Sequence, residues 1–248
     1  MFGFVLMLGL CYALPSLRQY RILRRSHRPH WPKLNELFRL GVPIGLTLIF
    51  EAMLFNSMTL LVGTFGEEQV AAHQVALNFA SVTFMVPLGI AMAATVRVGL
   101  HAGAGDIVAA RRAGFTAMVA GGALTAVSAY VMLAHGREVA SLYFARGQAD
   151  LEVLTLAALF LKVAAAFQLA DALQVVGALS LRGLKDARAP LAAGSYWLAG
   201  APVCVGLGVG LGMQGLGVWI GLAFGLAVAA IAMCGRFVLL TRPGRLNR

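Results

Sequence analysis

The sequence predicts an all-α integral membrane protein, a six-helix transmembrane bundle preceded by a partial helix. Three observations carry that prediction. Of the 248 residues, 60% are hydrophobic and only 12% are charged, and mean hydropathy is +0.81. A soluble domain carries roughly twice that charged fraction. Several mainly apolar runs reach about 20 residues or more, enough to cross a hydrocarbon core of about 30 Å. The basic residues also sort to alternate connections between those runs.

The first element, MFGFVLMLGLCYAL at residues 1–14, makes about 21 Å of helix at 1.5 Å per residue. That is short for a span. It lacks a basic n-region and a small-x-small cleavage site, so it does not read as a signal peptide. It reads as the remnant of a transmembrane helix. Residues 15–39 form a basic cytoplasmic linker that includes RQYRILRRSHRPHWPK, with Pro29 and Pro32 as helix breakers. Residues 40–240 hold six expected spans at 40–64, 70–97, 113–134, 153–180, 189–212 and 214–239. Residues 241–248 are the tail.

The charges orient these spans. Arg18, Arg21, Arg24, Arg25, Arg28, Lys33 and Arg39 precede the first complete span. Arg97, Arg111 and Arg112 flank the third connection, and Arg182, Lys185 and Arg188 the fifth. Arg236, Arg242, Arg245 and Arg248 close the chain. The remaining basic residues are Arg137 and Arg146, in the alternate connections, and Lys162, inside a span. Positive loops stay in the cytoplasm. A multi-pass protein of the inner, cytoplasmic membrane with a cytoplasmic C-terminus is therefore expected. The net charge of +10 is explained by topology, so nucleic acid is not an expected partner; the partner is membrane lipid. The basic linker also suits anionic headgroups.

Composition limits the chemistry. Cys11, Cys204 and Cys234 are isolated in apolar stretches without metal-ligand or CxxC spacing. No HExxH, GxSxG or clustered His/Asp set is present. No enzyme, metal site or bound cofactor is expected.

Two carboxylates stand out, Glu51 in GVPIGLTLIFEAMLFNSMTLLVG and Asp171 in LTLAALFLKVAAAFQLADALQVVGALSL. A charge at the centre of a membrane helix costs about 3 kcal/mol on insertion scales, and such residues usually line an ion, proton or substrate path. Glu51 lies ten residues from Gly41, about 15 Å deep, and Asp171 nine from Ser180, about 13.5 Å deep. Similar depth on helices of opposite direction lets them share a cavity. Gln168, Asp171 and Gln174 recur at i, i+3, i+6 and form one polar stripe. Phe55, Asn56 and Asn78 are further candidate cavity-lining residues. Oxygen ligands suit a hard cation such as Na⁺, and a carboxyl out of water can instead carry a proton. A purely structural hydrogen bond is the bland alternative for either carboxylate. His73 reads as packed and hydrogen-bonded near the outer interface or as a relay. Met53, Met58, Met85, Phe84 and also Phe55 read as ordinary packing or as an adaptable apolar wall. Lys162 is nine residues from Asp171, half a turn out of phase, and is expected to snorkel outward. Pro87, Gly89, Pro202 and the glycine-rich 206–212 run mark candidate kinks.

The segments GVPIGLTLIFEAMLF, AAHQVALNFASVTFMVPLGIAMAATVRVGLHAGAGD and DALQVVGALSLRGLKDARAP resemble the multidrug and toxic compound extrusion (MATE) family, NorM-like branch, over about residues 35–240. The resemblance implies one lobe of a twelve-helix fold of two six-helix lobes. It implies an antiporter that exports cationic, amphipathic drugs in exchange for Na⁺ or H⁺. It places the family's seventh-helix acid on Glu51 and its tenth-helix acid on Asp171 as cation- or proton-coupling residues. The chain matches the C-terminal lobe, so an N-terminal lobe is an expected partner. A non-functional fragment of such a transporter, or a lipid-linked-substrate flippase of the wider superfamily, are the alternative expectations.

Overall fold

The computed structural model describes residues 9, 30–144, 151–186 and 193–242. The chain divides into two compact units, Met1–Phe38 and Arg39–Arg248. In the first unit the described stretch is His30–Phe38, which holds the start of α1 (Trp31–Gly63). The helix thus begins inside the stretch that reads as linker. Pro32 falls in its first turn, where a missing N–H costs nothing, and no turn interrupts the chain until Thr64. The expected remnant at 1–14 and most of the linker lie outside the described residues.

The second unit continues α1 and adds α2 (Glu67–Gly103), α3 (Ile107–Ala134), the short α4 (Gly136–Ser141), α5 (Leu151–Gly183), α6 (Ala193–Val205) and α7 (Gln214–Leu240). No strand occurs among the described residues. Helices α1, α2, α3, α5 and α7 are long and apolar enough to cross a membrane. The start of the fifth expected span, before residue 193, lies outside the described residues. Beyond Val205 that span widens into a π-turn at Gly206–Gly210. Five residues with three glycines, GLGVG, have weak α-preference, which permits the wider turn.

Tight turns fold the long helices back on themselves. Glu67 and Glu68 open α2, where carboxylates complement the helix dipole. Gly105 adopts φ +79°, and Asp106 then caps α3 by accepting from the Ala109 N–H at 2.8 Å. α5 closes on Lys185 at φ +58°, with the Asp186 N–H donating to the Leu181 carbonyl at 3.1 Å.

α5 is the axis of the bundle, packed against α2, α3, α4 and α7, while α6 lies on α7. One core cluster gathers Leu54 and Met58 of α1 with Phe160, Phe167, Trp219 and Leu222. A second gathers Val98, Met118, Val176, Leu181, Met233 and Phe237. Small residues set the closest approaches, as expected where van der Waals packing drives helix association. A Cβ on Gly221 would meet the Cys204 backbone nitrogen at 2.5 Å, and one on Gly183 the Thr95 carbonyl oxygen at 2.7 Å.

The contacts confirm that the helices alternate in direction. At one end Thr95 of α2 donates to the Leu179 carbonyl of α5 at 2.9 Å. Phe115 of α3 meets Phe237 of α7 there edge-on at 6.3 Å, and Asp186 pairs with Arg236. At the other end the Gln69 amide donates to Gln214 at 2.8 Å and the Tyr143 hydroxyl to Asn78 at 3.2 Å. Arg97, Arg111, Arg112, Arg182, Lys185 and Arg236 all belong to the first end, as the charge sorting requires.

Candidate functional site

The structure brings Glu51 and Asp171 together. Glu51 lies on the half-buried flank of α1, and Asp171 is 6% exposed within α5. The two lie near enough to interact electrostatically, and Glu51 interacts in the same way with Arg182. Helical geometry explains the grouping. Asp171 and Arg182 are eleven residues apart, within about 20° on the helix circumference. One face of α5 therefore carries the acid near mid-span and the guanidinium nearer the basic end, with Glu51 within electrostatic range of both. Packing next door fixes that face. Gly183 sits on the Thr95 carbonyl of α2, and Thr95 holds Leu179 in return. Arg182, the residue before that contact, is half-buried.

Asp171 is incompletely satisfied. Its Oδ1 is buried and has no hydrogen-bond partner among the described residues. A buried polar atom without a protein partner costs about 1–3 kcal/mol, more when charged. Such an atom is suited to a cation, a proton or an ordered water. Gln174, one turn on, is 4% exposed and lies on the same stripe. Two carboxylates and an amide are oxygen donors that fit a hard cation. Among the described residues no group of three or more His, Cys, Asp and Glu forms.

Gln168 is built differently. It is 1% exposed and bonded on several sides. Its Oε1 accepts from the Ser128 hydroxyl of α3 at 3.1 Å. Its amide donates to Thr83 Oγ1 and to the Ala80 carbonyl, both on α2. It joins three helices. The other expected lining residues are spread out. Phe55 is half-buried and meets Phe167 edge-on at 6.1 Å. Asn56 is exposed and donates to its own helix at Ala52. Asn78 is exposed and accepts from Tyr143.

His73 is 1% exposed. Its Nε2 lies 3.1 Å from Thr59 Oγ1, and its ring is 5.5 Å from that of Trp219. It joins α1 to the outer core. Lys162 is exposed, as its phase relative to Asp171 requires. Sequence reasoning placed Arg182 among the topogenic charges and missed its proximity to Glu51. The eleven-residue spacing from Asp171 was the available signal.

These features define a helical membrane lobe with a polar, charged centre of the kind found in multi-pass transporters. The MatE family model matches residues 43–205, and the chain belongs to that family. It is 41% identical over 97% of its length to the probable multidrug resistance protein NorM of Rhizobium meliloti, covering 52% of that protein. It is 42% identical over 94% of its length to multidrug resistance protein NorM of Burkholderia vietnamiensis, covering 51% of it. The chain therefore spans about half the length of these curated relatives. Among solved structures, the eukaryotic MATE transporter AtDTX14 superposes with a TM-score of 0.83 at 26% identity. That superposition covers 96% of this chain and 53% of the transporter. An outward-facing multidrug resistance MATE transporter superposes at 0.70 over 80% of the chain; at 19% identity this likeness concerns the fold alone.

Proposed function

We propose that this chain is the cation-coupling C-terminal half of a multidrug efflux antiporter, exporting cationic, amphipathic compounds in exchange for Na⁺ or H⁺. The observation that supports this reading best is the buried, unpartnered Oδ1 of Asp171 beside Glu51. Two like charges at mid-membrane repel, and a cation or proton between them relieves that repulsion. Arg182 supplies a competing positive charge at Glu51. Relatives carrying the NorM multidrug resistance name support the drug-export part of the reading. The chain acts as a transporter, not an enzyme, with Na⁺ or H⁺ as coupling ion in place of a cofactor.

Activity requires a six-helix N-terminal lobe. Coverage of about half the length of the relatives supports this. So does the apolar surface of α1, where Leu46, Ile49, Phe50 and Met53 are between 44% and 54% exposed. That surface meets lipid or a second lobe. The membrane is the inner one, with the basic end and the C-terminus in the cytoplasm.

The test is ethidium efflux from proteoliposomes holding this chain with an N-terminal lobe, driven by a Na⁺ or a pH gradient. One gradient drives efflux, and Glu51→Gln and Asp171→Asn each abolish it. Gradient-driven efflux that survives in both variants overturns the assignment.

A further inference from the structure

At the basic end of the bundle, away from Glu51 and Asp171, a cavity of about 460 Å³ opens between the start of α3 and the end of α7. Its walls are apolar, with Ile107, Val108 and Phe115, and its charges are all positive, Arg111 and Arg112. The Arg111 guanidinium lies 5.5 Å from the centre of the Phe115 ring, a cation–π contact that holds the group at the rim. Among the described residues neither arginine forms a salt bridge. Asp106, the nearest acid in sequence, caps α3 by accepting at Oδ1 from the Ala109 N–H. Thr241, also in the lining, already donates its hydroxyl proton to the Phe237 carbonyl. Thr116 adds a hydroxyl to the lining, and the two arginines carry all of its charge.

The surface beside the cavity continues the pattern. Val108, Arg112, Phe115 and Val119 recur at i, i+4, i+7, i+11 and share one face of α3. Val108 is 52%, Phe115 38% and Val119 70% exposed. Arg112 lies about 8 Å and Val119 about 18 Å along the helix from its first residue. One ligand must then satisfy two demands, an anionic group at the level of the membrane surface and a hydrocarbon tail below it. A soluble anion meets only the first.

We propose that this cavity binds an anionic phospholipid of the adjoining leaflet. Arg111 and Arg112 hold the headgroup phosphate, and an acyl chain runs along Val108, Phe115 and Val119. Basic pockets between membrane helices bind acidic headgroups in this way.

The experiment uses the 248-residue chain in detergent micelles, titrated with phosphatidylglycerol or with phosphatidylcholine of the same acyl chains. Bound lipid is counted by native mass spectrometry, and inorganic phosphate serves as competitor. Phosphatidylglycerol binds in preference. Arg111→Gln and Arg112→Gln each weaken it roughly fivefold, about the contribution of one basic residue near a charged surface. The Arg→Lys pair retains most of the preference, and Phe115→Ala lowers lipid binding. Circular dichroism verifies that each variant keeps its helix content. Equal binding of the two lipids, or a preference unchanged in the Arg111→Gln/Arg112→Gln double variant, overturns the proposal. Displacement by millimolar phosphate overturns it too, in favour of a soluble-anion site.

Discussion

Gln168 and Asp171 lie one turn apart on α5 and are both buried, yet they are served in opposite ways. Gln168 is engaged by Ser128, Thr83 and the Ala80 carbonyl. Asp171 keeps a buried oxygen without a protein partner. The stripe that joins them in the sequence is thus two devices. One fastens α2, α3 and α5 together. The other leaves coordinating capacity unspent beside Glu51. A saturated amide ties helices together, and an unsaturated buried carboxylate oxygen is open to a cation, a proton or a water.

Substitutions at the two positions should therefore separate stability from function. The largest effect is expected from Asp171→Asn, which takes gradient-driven efflux to background while the protein stays folded. Efflux assays alongside a thermal unfolding scan check both halves of that statement. Asp171→Leu extends the contrast. Removing a poorly satisfied buried acid leaves thermal stability equal or raised, as at many sites that trade stability for activity. Gln168→Leu moves the other way and lowers stability by about 1–2 kcal/mol, because Ser128 and Thr83 lose their shared partner. If both leucine variants shift the melting temperature in the same direction, the distinction between scaffold and site fails.

Two smaller effects sharpen it. Arg182→Gln removes a positive charge that competes at Glu51. The coupling cation should then bind more tightly, with half-saturation lowered roughly three- to tenfold in a Na⁺ or pH titration of efflux. A weaker apparent affinity would mean that Arg182 organises the site instead of opposing the cation. Lys162→Gln, exposed and half a turn out of phase with Asp171, should change stability by less than about 0.5 kcal/mol and leave efflux intact.

The hydropathy and charge of the chain made much of this legible. The apolar runs located the helices, the sorted arginines gave their alternating direction, and helical depth brought Glu51 and Asp171 to one level. Other features were hidden for physical reasons. Gln168 and Asp171 look alike in sequence because what separates them is the neighbourhood. Ser128 lies 40 residues away and Thr83 lies 85, and no local pattern announces such partners. Arg182 was masked by a second reading that any basic residue near a span end satisfies. The start of α1 was misjudged because proline reads as a breaker unless its place in the first turn is known. Glycines at 206–212 signalled irregularity without specifying a π-turn.

The close seam between α6 and α7 has a practical consequence. Cys204 is fully enclosed there, with its sulfur 3.3 Å from the Val218 carbonyl and Gly221 against its backbone. A maleimide can reach that sulfur only when the two helices part. The rate of Cys204 modification, followed in a Cys11→Ser/Cys234→Ser background, is therefore a clock for seam opening. Run with and without the coupling gradient, it would time that motion without any added probe site.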